Sequence, residues 1–236
     1  LKRFAQANQK SLKEVREALQ KDWAYTLHKP VRSRLPTLKV VVFGIDHQWV
    51  ADLVDMQRLS RYNQGFKYLL TIVDVLSKYA RVEPLKDKTG ASLVRAFAAV
   101  LKRANSRSPR QLQTNKGKEF YNALFSKWLK HKGIRHFSTQ GDAKAGLVAR
   151  FNCTLKGRMY RYFTAANTLK YMDVVQDLVE GYNGTPHRSI GMAPRDVTHE
   201  NEDKVWMKLY GGKHNLKKTA FATGDRVRMA HNNKPF

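Results

Sequence analysis

The sequence predicts an α/β domain: a mixed sheet with helices packed on its faces. Two observations predict it. Strand-like runs follow one another from residue 39 to residue 85, and beyond them stretches of helical period alternate with short strand-like runs. A third observation bounds it, since 42% of the 236 residues are hydrophobic, enough for one well-packed domain with appendages or two small domains.

Residues 1–38 read as a basic helical arm and linker. Leu12, Val15, Leu19 and Trp23 recur every three or four residues, and Pro30 and Pro36 bracket the linker. Such an arm suits either a grip on DNA or packing against a core. The core is expected over residues 39–165. KVVVF opens it as a strand, and WVADLVDM follows with Val50, Asp52, Val54 and Met56 on one face. After the turn signal YNQG, the run FKYLLTIVDVLSKYARVEPL carries two antiparallel strands, one central and buried on both faces.

Thr89 is placed to cap a helix whose stripe is Leu93, Phe97, Val100 and Leu101. A short strand, RQLQT, follows it. Next come a helix over 119–132 ending at Gly133, a strand IRHFS, and a long helix over 144–163. Residues 166–215 add a helical extension, YMDVVQDLVEGYN, and the loop NGTPHRSIGMAP. Residues 216–236 are expected to form the start of a truncated small β-barrel, SH3-like or chromodomain-like.

Charge narrows the function. Forty-four Lys and Arg stand against 19 Asp and Glu, for a net charge of +25, so self-repulsion calls for a polyanionic partner. The basic residues run the length of the chain, which favours nucleic acid over an anionic membrane surface. No apolar run approaches the roughly 18–20 residues that span a bilayer, and Leu1 opens a charged segment unlike a signal peptide, so the expectation is a soluble chain with no membrane partner. Cys153 is the single cysteine; neither an intramolecular disulfide nor a multi-cysteine zinc site can form within the chain, which fits a reducing compartment.

Three positions stand in register with the expected elements. Asp52 lies on the first core strand, Asn115 follows the fourth in QTNKGKEFYN, and Ala149 lies on the long helix in AGLVARFNCTLK, with 33 residues between Asn115 and Ala149. Around them run YTLHKPV, ADLVDMQ, YLLTIVDVLSKYA, PLKDKTG, KGKEFYN, RYFTAANT, GYN, PHRSIGMAP and GDRVR. In these motifs the chain resembles the retroviral-type integrase catalytic core, and most closely the integrases of Polinton, or Maverick, DNA transposons.

The resemblance implies an RNase H-like fold and a polynucleotidyl transferase that trims element ends and joins them to target DNA. It implies two divalent cations, Mg2+ or Mn2+, held by three acids, the first bridging both. It further implies at least a homodimer, DNA as partner and a nuclear location. The His-His-Cys-Cys zinc module that precedes many integrase cores has no counterpart here.

The chain departs from that pattern at its centre. Asp52 keeps the first acid, but Asn115 stands at the second acidic position and Ala149 at the third. A neutral amide does not offset a cation's charge and a methyl group cannot coordinate, so Asp52 is left as the one ligand of a weak or unoccupied metal site. Cys153 stands where such integrases favour Arg. Positions 149, 153 and 156 share a helix face at i, i+4 and i+7, the face that meets the DNA end in integrases. The expected DNA contacts are Lys156, Arg150, Cys153, Lys116 and Lys144.

Four nearby acids are weighed as substitutes for the missing ones. Asp55 points to the opposite face from Asp52, Asp74 is a structural position within a strand pair, and Glu119 starts a helix where the macrodipole favours it. Asp142, in the loop STQGDAKAG, is the best placed. The expected function is therefore an integrase-derived DNA-binding domain, silenced in catalysis after capture by a host genome. The alternatives are an active transferase with rearranged ligands, a deliberately inactivated active integrase, and an assembly module. Trp49, Trp128, Trp206 and His187 are expected to be structural.

Overall fold

A computed structural model describes residues 11–21, 40–104, 107–138 and 146–211. The chain divides into two units, residues 40–214 and residues 1–39 with 215–236. Of the second, the described part is helix α1 (Leu12–Lys21) and Ser11 before it. A capping box starts this helix, the Ser11 hydroxyl accepting from the Glu14 N–H at 3.2 Å and the Glu14 carboxylate from the Ser11 N–H at 2.8 Å. The remainder of the expected arm and the barrel piece over 216–236 lie outside the described residues.

The larger unit is built on a five-stranded mixed sheet in the order β3-β2-β1-β4-β5. β1 (Gln48–Asp55), β2 (Tyr68–Asp74) and β3 (Ala80–Leu85) pair antiparallel, while β4 (Gln111–Thr114) and β5 (Arg135–Ser138) run parallel to β1. Every residue of β2 is buried, as its unbroken apolar run predicts. The turn before it uses Gln64 and Gly65 at positive φ. Buried Asn63 ties that turn to a distant segment, donating to the carbonyls of Leu59 and Leu169 and accepting from the Tyr171 N–H.

Helices cover both faces. Period-two alternation sends Val50, Val54, Leu69 and Val73 into one core, with Val148, Phe151, Leu155 and Met159 from α4 (Gly146–Ala165). Helices α5 (Val175–Asn183) and α6 (Glu202–Tyr210) contribute Val179 and Val205 to the same core. Trp49, Ala51, Leu70 and Ile72 face the other way, against α2 (Gly90–Arg103) and α3 (Ala123–His131). Thr89 caps α2 as expected, accepting from the Ser92 N–H, and Leu93, Phe97 and Val100 are fully buried. Burying each such side chain stabilises the fold by roughly 1.5–3 kcal/mol. At the sheet's margin the Asn183 amide pairs with β3, accepting from the Ala80 N–H at 2.8 Å and donating to its carbonyl at 3.0 Å.

Two expected elements differ. KVVVF is not a strand: Val40, Val41 and Phe43 are exposed, and only Val42 is buried. Two of its carbonyls are taken by side chains of α6, Val40 accepting from the Tyr210 hydroxyl and Val42 from Trp206 Nε1, which ties the segment to that helix instead of to a ladder. The helix expected from 119 begins at Ala123, because the Asn122 side chain accepts the Phe125 N–H and fixes the start there. Gly133, at φ 69°, ends it as expected.

Candidate active site

The sheet brings the first two positions together through the parallel pairing of β1 and β4, in which Val50 stands opposite Gln113. Asp52 lies half-buried two residues beyond Val50, and Asn115 leaves the end of β4 beside it. Helix α4 lies across the same face because its stripe of Val148, Phe151, Leu155 and Met159 is buried there. Asn152 is thereby directed at Asp52. Its Nδ2 donates to Asp52 Oδ2 at 3.0 Å, and Asn115 Nδ2 stands 3.4 Å from Asp52 Oδ1. Asn115 Oδ1 turns the other way and accepts the Gly117 N–H at 2.8 Å.

Burial pushes the Asp52 carboxyl above the ordinary aspartate range. The Leu53 N–H and the Asn152 amide pull it down, the charge of Glu119 pushes it up, and Lys156 lowers it. The arrangement does not fit a pair of divalent cations. The donors are one carboxylate and two amides, N–H groups face both oxygens of that carboxylate, and Ala149 offers a methyl group. Among the described residues, no three of His, Cys, Asp or Glu stand together in a way that could hold a metal ion.

The outer face of α4 carries Ala149, Arg150, Cys153 and Tyr160, all exposed, with half-buried Lys156. Lys116 is exposed beside Asn115, and Lys144 and Asp142 lie outside the described residues. Asp55 is exposed on the opposite side of β1 from Asp52, held by the Gln57 N–H. Asp74 is fully buried and accepts from the Ser77 N–H, the Ser77 hydroxyl and the Asp46 N–H, which bears out its structural reading.

Glu119 corrects the expectation. It precedes α3 rather than starting it, and lies close enough to Asp52 for its charge to act on that carboxyl. Trp49 is buried in the core, Trp128 packs against that same core, and Trp206 bonds the Val42 carbonyl. His187 pairs its N–H with the Met192 carbonyl and its Nε2 with the Tyr182 hydroxyl. All four are structural, as expected.

Two groups escaped sequence reasoning. Asn152 donates to Asp52 from the long helix, and its signal was its i+3 spacing from Ala149. Exposed Tyr121 stacks on His136 at 4.6 Å, and His136 lies 2.9 Å from the Thr114 hydroxyl, which donates to the Asn115 carbonyl. No local motif marks that pair.

A mixed five-stranded sheet with helices on both faces, with Asp52 on β1 beside Asn115 at the end of β4, is the RNase H-like fold seen in integrase cores. Residues 45–141 match the integrase core domain family. A transposon-derived protein of Caenorhabditis elegans is 33% identical over 175 residues, 74% of this chain; the chain spans only 59% of that relative's length. Among solved structures, the HTLV-2 integrase catalytic core domain in complex with magnesium aligns with a TM-score of 0.56 at 19% identity, covering 67% of this chain and 99% of that one. A chain of the simian T-cell lymphotropic virus intasome in complex with the PP2A regulatory subunit B56 gamma aligns over 93% of this chain and 73% of its own at a TM-score of 0.56 and 18% identity. These structural likenesses speak to the fold. No helix among the described residues is long and apolar enough to cross a membrane.

Proposed function

We propose that the chain is an integrase-derived DNA-binding domain of the polynucleotidyl transferase type whose strand-transfer chemistry is silenced. The observation that carries this reading is the set of groups around Asp52, where the Asn115 amide and the Ala149 methyl stand at the two further acid positions and Asn152 adds a second N–H donor. In-line transfer at a phosphodiester needs one cation to activate the attacking oxygen and another to stabilise the leaving one. A single carboxylate faced by N–H groups holds neither well. The DNA part rests on the net charge of +25 and on Lys116, Arg150 and Lys156 around the same surface. Cys153, where integrases of this type favour Arg, supports drift after capture of a Polinton-like gene by a host genome. On this reading the chain acts in the nucleus as a homodimer or larger assembly on DNA.

The closeness of Glu119 to Asp52 favours a second reading, an active transferase with rearranged ligands. Labelled duplex ends in Mg2+ or Mn2+, with and without chelator, separate the two. The unmodified chain should show no cleavage or joining, and Asn115→Asp or Ala149→Glu alone should recover little, because catalytic groups that act as a unit are strongly non-additive. The triple variant Asn115→Asp, Ala149→Glu, Cys153→Arg should regain chelator-sensitive cleavage. Chelator-sensitive turnover by the unmodified chain, lost in Glu119→Gln, would establish the second reading instead.

A further inference from the structure

The stripe on the outer face of α4 does not end at Lys156. Positions 149, 153, 156 and 160 continue it at i, i+4, i+7 and i+11, and the last of them, Tyr160, is 61% exposed. Phe163 meets that ring nearly perpendicular at 5.9 Å, and most of the phenol is left to solvent at the end of the row.

A cavity of about 360 Å³ opens beside Tyr160, between α4, the end of β1 and the 3₁₀ turn Gln57–Tyr62 that follows it. It takes no residue from β3, α2 or α5. Buried Met56 and half-buried Leu59 give it an apolar wall, and Arg58 and Lys156 bring positive charge. The acid in its lining, Asp55, has both carboxylate oxygens held by Gln57, Oδ1 by the N–H and Oδ2 by Nε2, each at 2.9 Å. Asp55 stands three residues past Asp52 on β1, about 10 Å along the strand at roughly 3.3 Å per residue. DNA seated at Asp52 therefore passes the cavity mouth.

We propose that this cavity receives one nucleobase unstacked from bound DNA, the base lying against Tyr160 and Leu59 and its flanking phosphates on Lys156 and Arg58. The inference rests on the DNA-binding reading above and adds to it a point at which one base leaves the stack. Inside the cavity, the charge of Asp55 turns a phosphate away but not a neutral base, whose amino groups a carboxylate or an amide oxygen accepts. The apolar wall and the exposed ring suit the flat faces of that base, and the volume suits one nucleoside.

The test uses the full chain and labelled duplexes that differ at one central bulged nucleotide, adenine in one and an abasic residue in the other, with a fully paired duplex as reference. Fluorescence anisotropy at constant salt should show the adenine bulge bound at least about fivefold more tightly than the abasic one, the lower end of what one base on an aromatic ring contributes. Tyr160→Ala should bring the two bulges to equal affinity while the protein still melts cooperatively, and Tyr160→Phe, which keeps the ring, should preserve the difference. With 2-aminopurine in the bulge, emission should fall as the parent binds, which decides the matter if Tyr160→Ala does not fold. Equal affinities for the two bulges in the parent, with the paired duplex still bound, would overturn this assignment and leave the DNA reading standing, whereas failure to bind any of the duplexes would overturn both. A difference undiminished in Tyr160→Ala, one lost in Tyr160→Phe, or unchanged 2-aminopurine emission would also overturn the assignment.

Discussion

Asp52 opposes the fold that positions it. A carboxyl whose folded pKa is raised adds stability below its unfolded pKa and loses it as pH rises through the folded one, so at neutral pH ionised Asp52 is a net cost. Asp52→Asn should therefore melt higher than the parent at pH 7, and the gain should vanish below the unfolded aspartate pKa of about 3.9. Thermal melts across that range check it. On α4, Lys156→Ala should weaken binding to duplex DNA and Cys153→Arg should strengthen it, each by about 1 kcal/mol, or roughly fivefold. Fluorescence anisotropy measures this, and equal affinities for both variants and the parent would place the DNA surface elsewhere. Asp52 and Asn115 were legible as neighbours because their places on β1 and just after β4 follow from the spacing of the elements. Glu119 was misread because it precedes an amphipathic run that reads as one helix, whereas the Asn122 cap is a side-chain event that periodicity does not register.

Helix α2 shows how an element spells itself out. Its N-cap, apolar stripe and basic last turn are all local, so Thr89, Leu93, Phe97 and Val100 took their expected places. Thr89→Ala should cost about 1 kcal/mol for the lost cap, and Phe97→Ala about 3–5 kcal/mol for the cavity left behind. Urea unfolding should rank them in that order, and a Phe97→Ala cost no larger than that of Thr89→Ala would contradict the packing described. The segment 39–43 is the opposite case. Its β-branched residues satisfy every local test for a strand, yet its neighbour Ile45 donates its N–H to Glu202, 157 residues away, and Trp206 and Tyr210 hold two of its carbonyls. Contacts so distant in sequence leave no periodic trace.

For the whole molecule, the net charge of +25 was fully legible and sets an expectation that no single residue carries. If six or more phosphates are neutralised on binding, affinity for duplex DNA should fall at least about a thousandfold between 50 and 200 mM salt, with little dependence on sequence. A salt titration of binding that leaves the dissociation constant unchanged would defeat the DNA reading. DNA also gathers such a protein at high local density, where the bare margin of a sheet would be a hazard. At β3 that margin is not bare. Asn183 occupies both backbone groups of Ala80, and Gln176 and Arg103 occupy the carbonyl of Val82. A neighbouring copy crowded onto the same duplex finds those rungs already taken, which hinders it from extending the sheet at the start of β3.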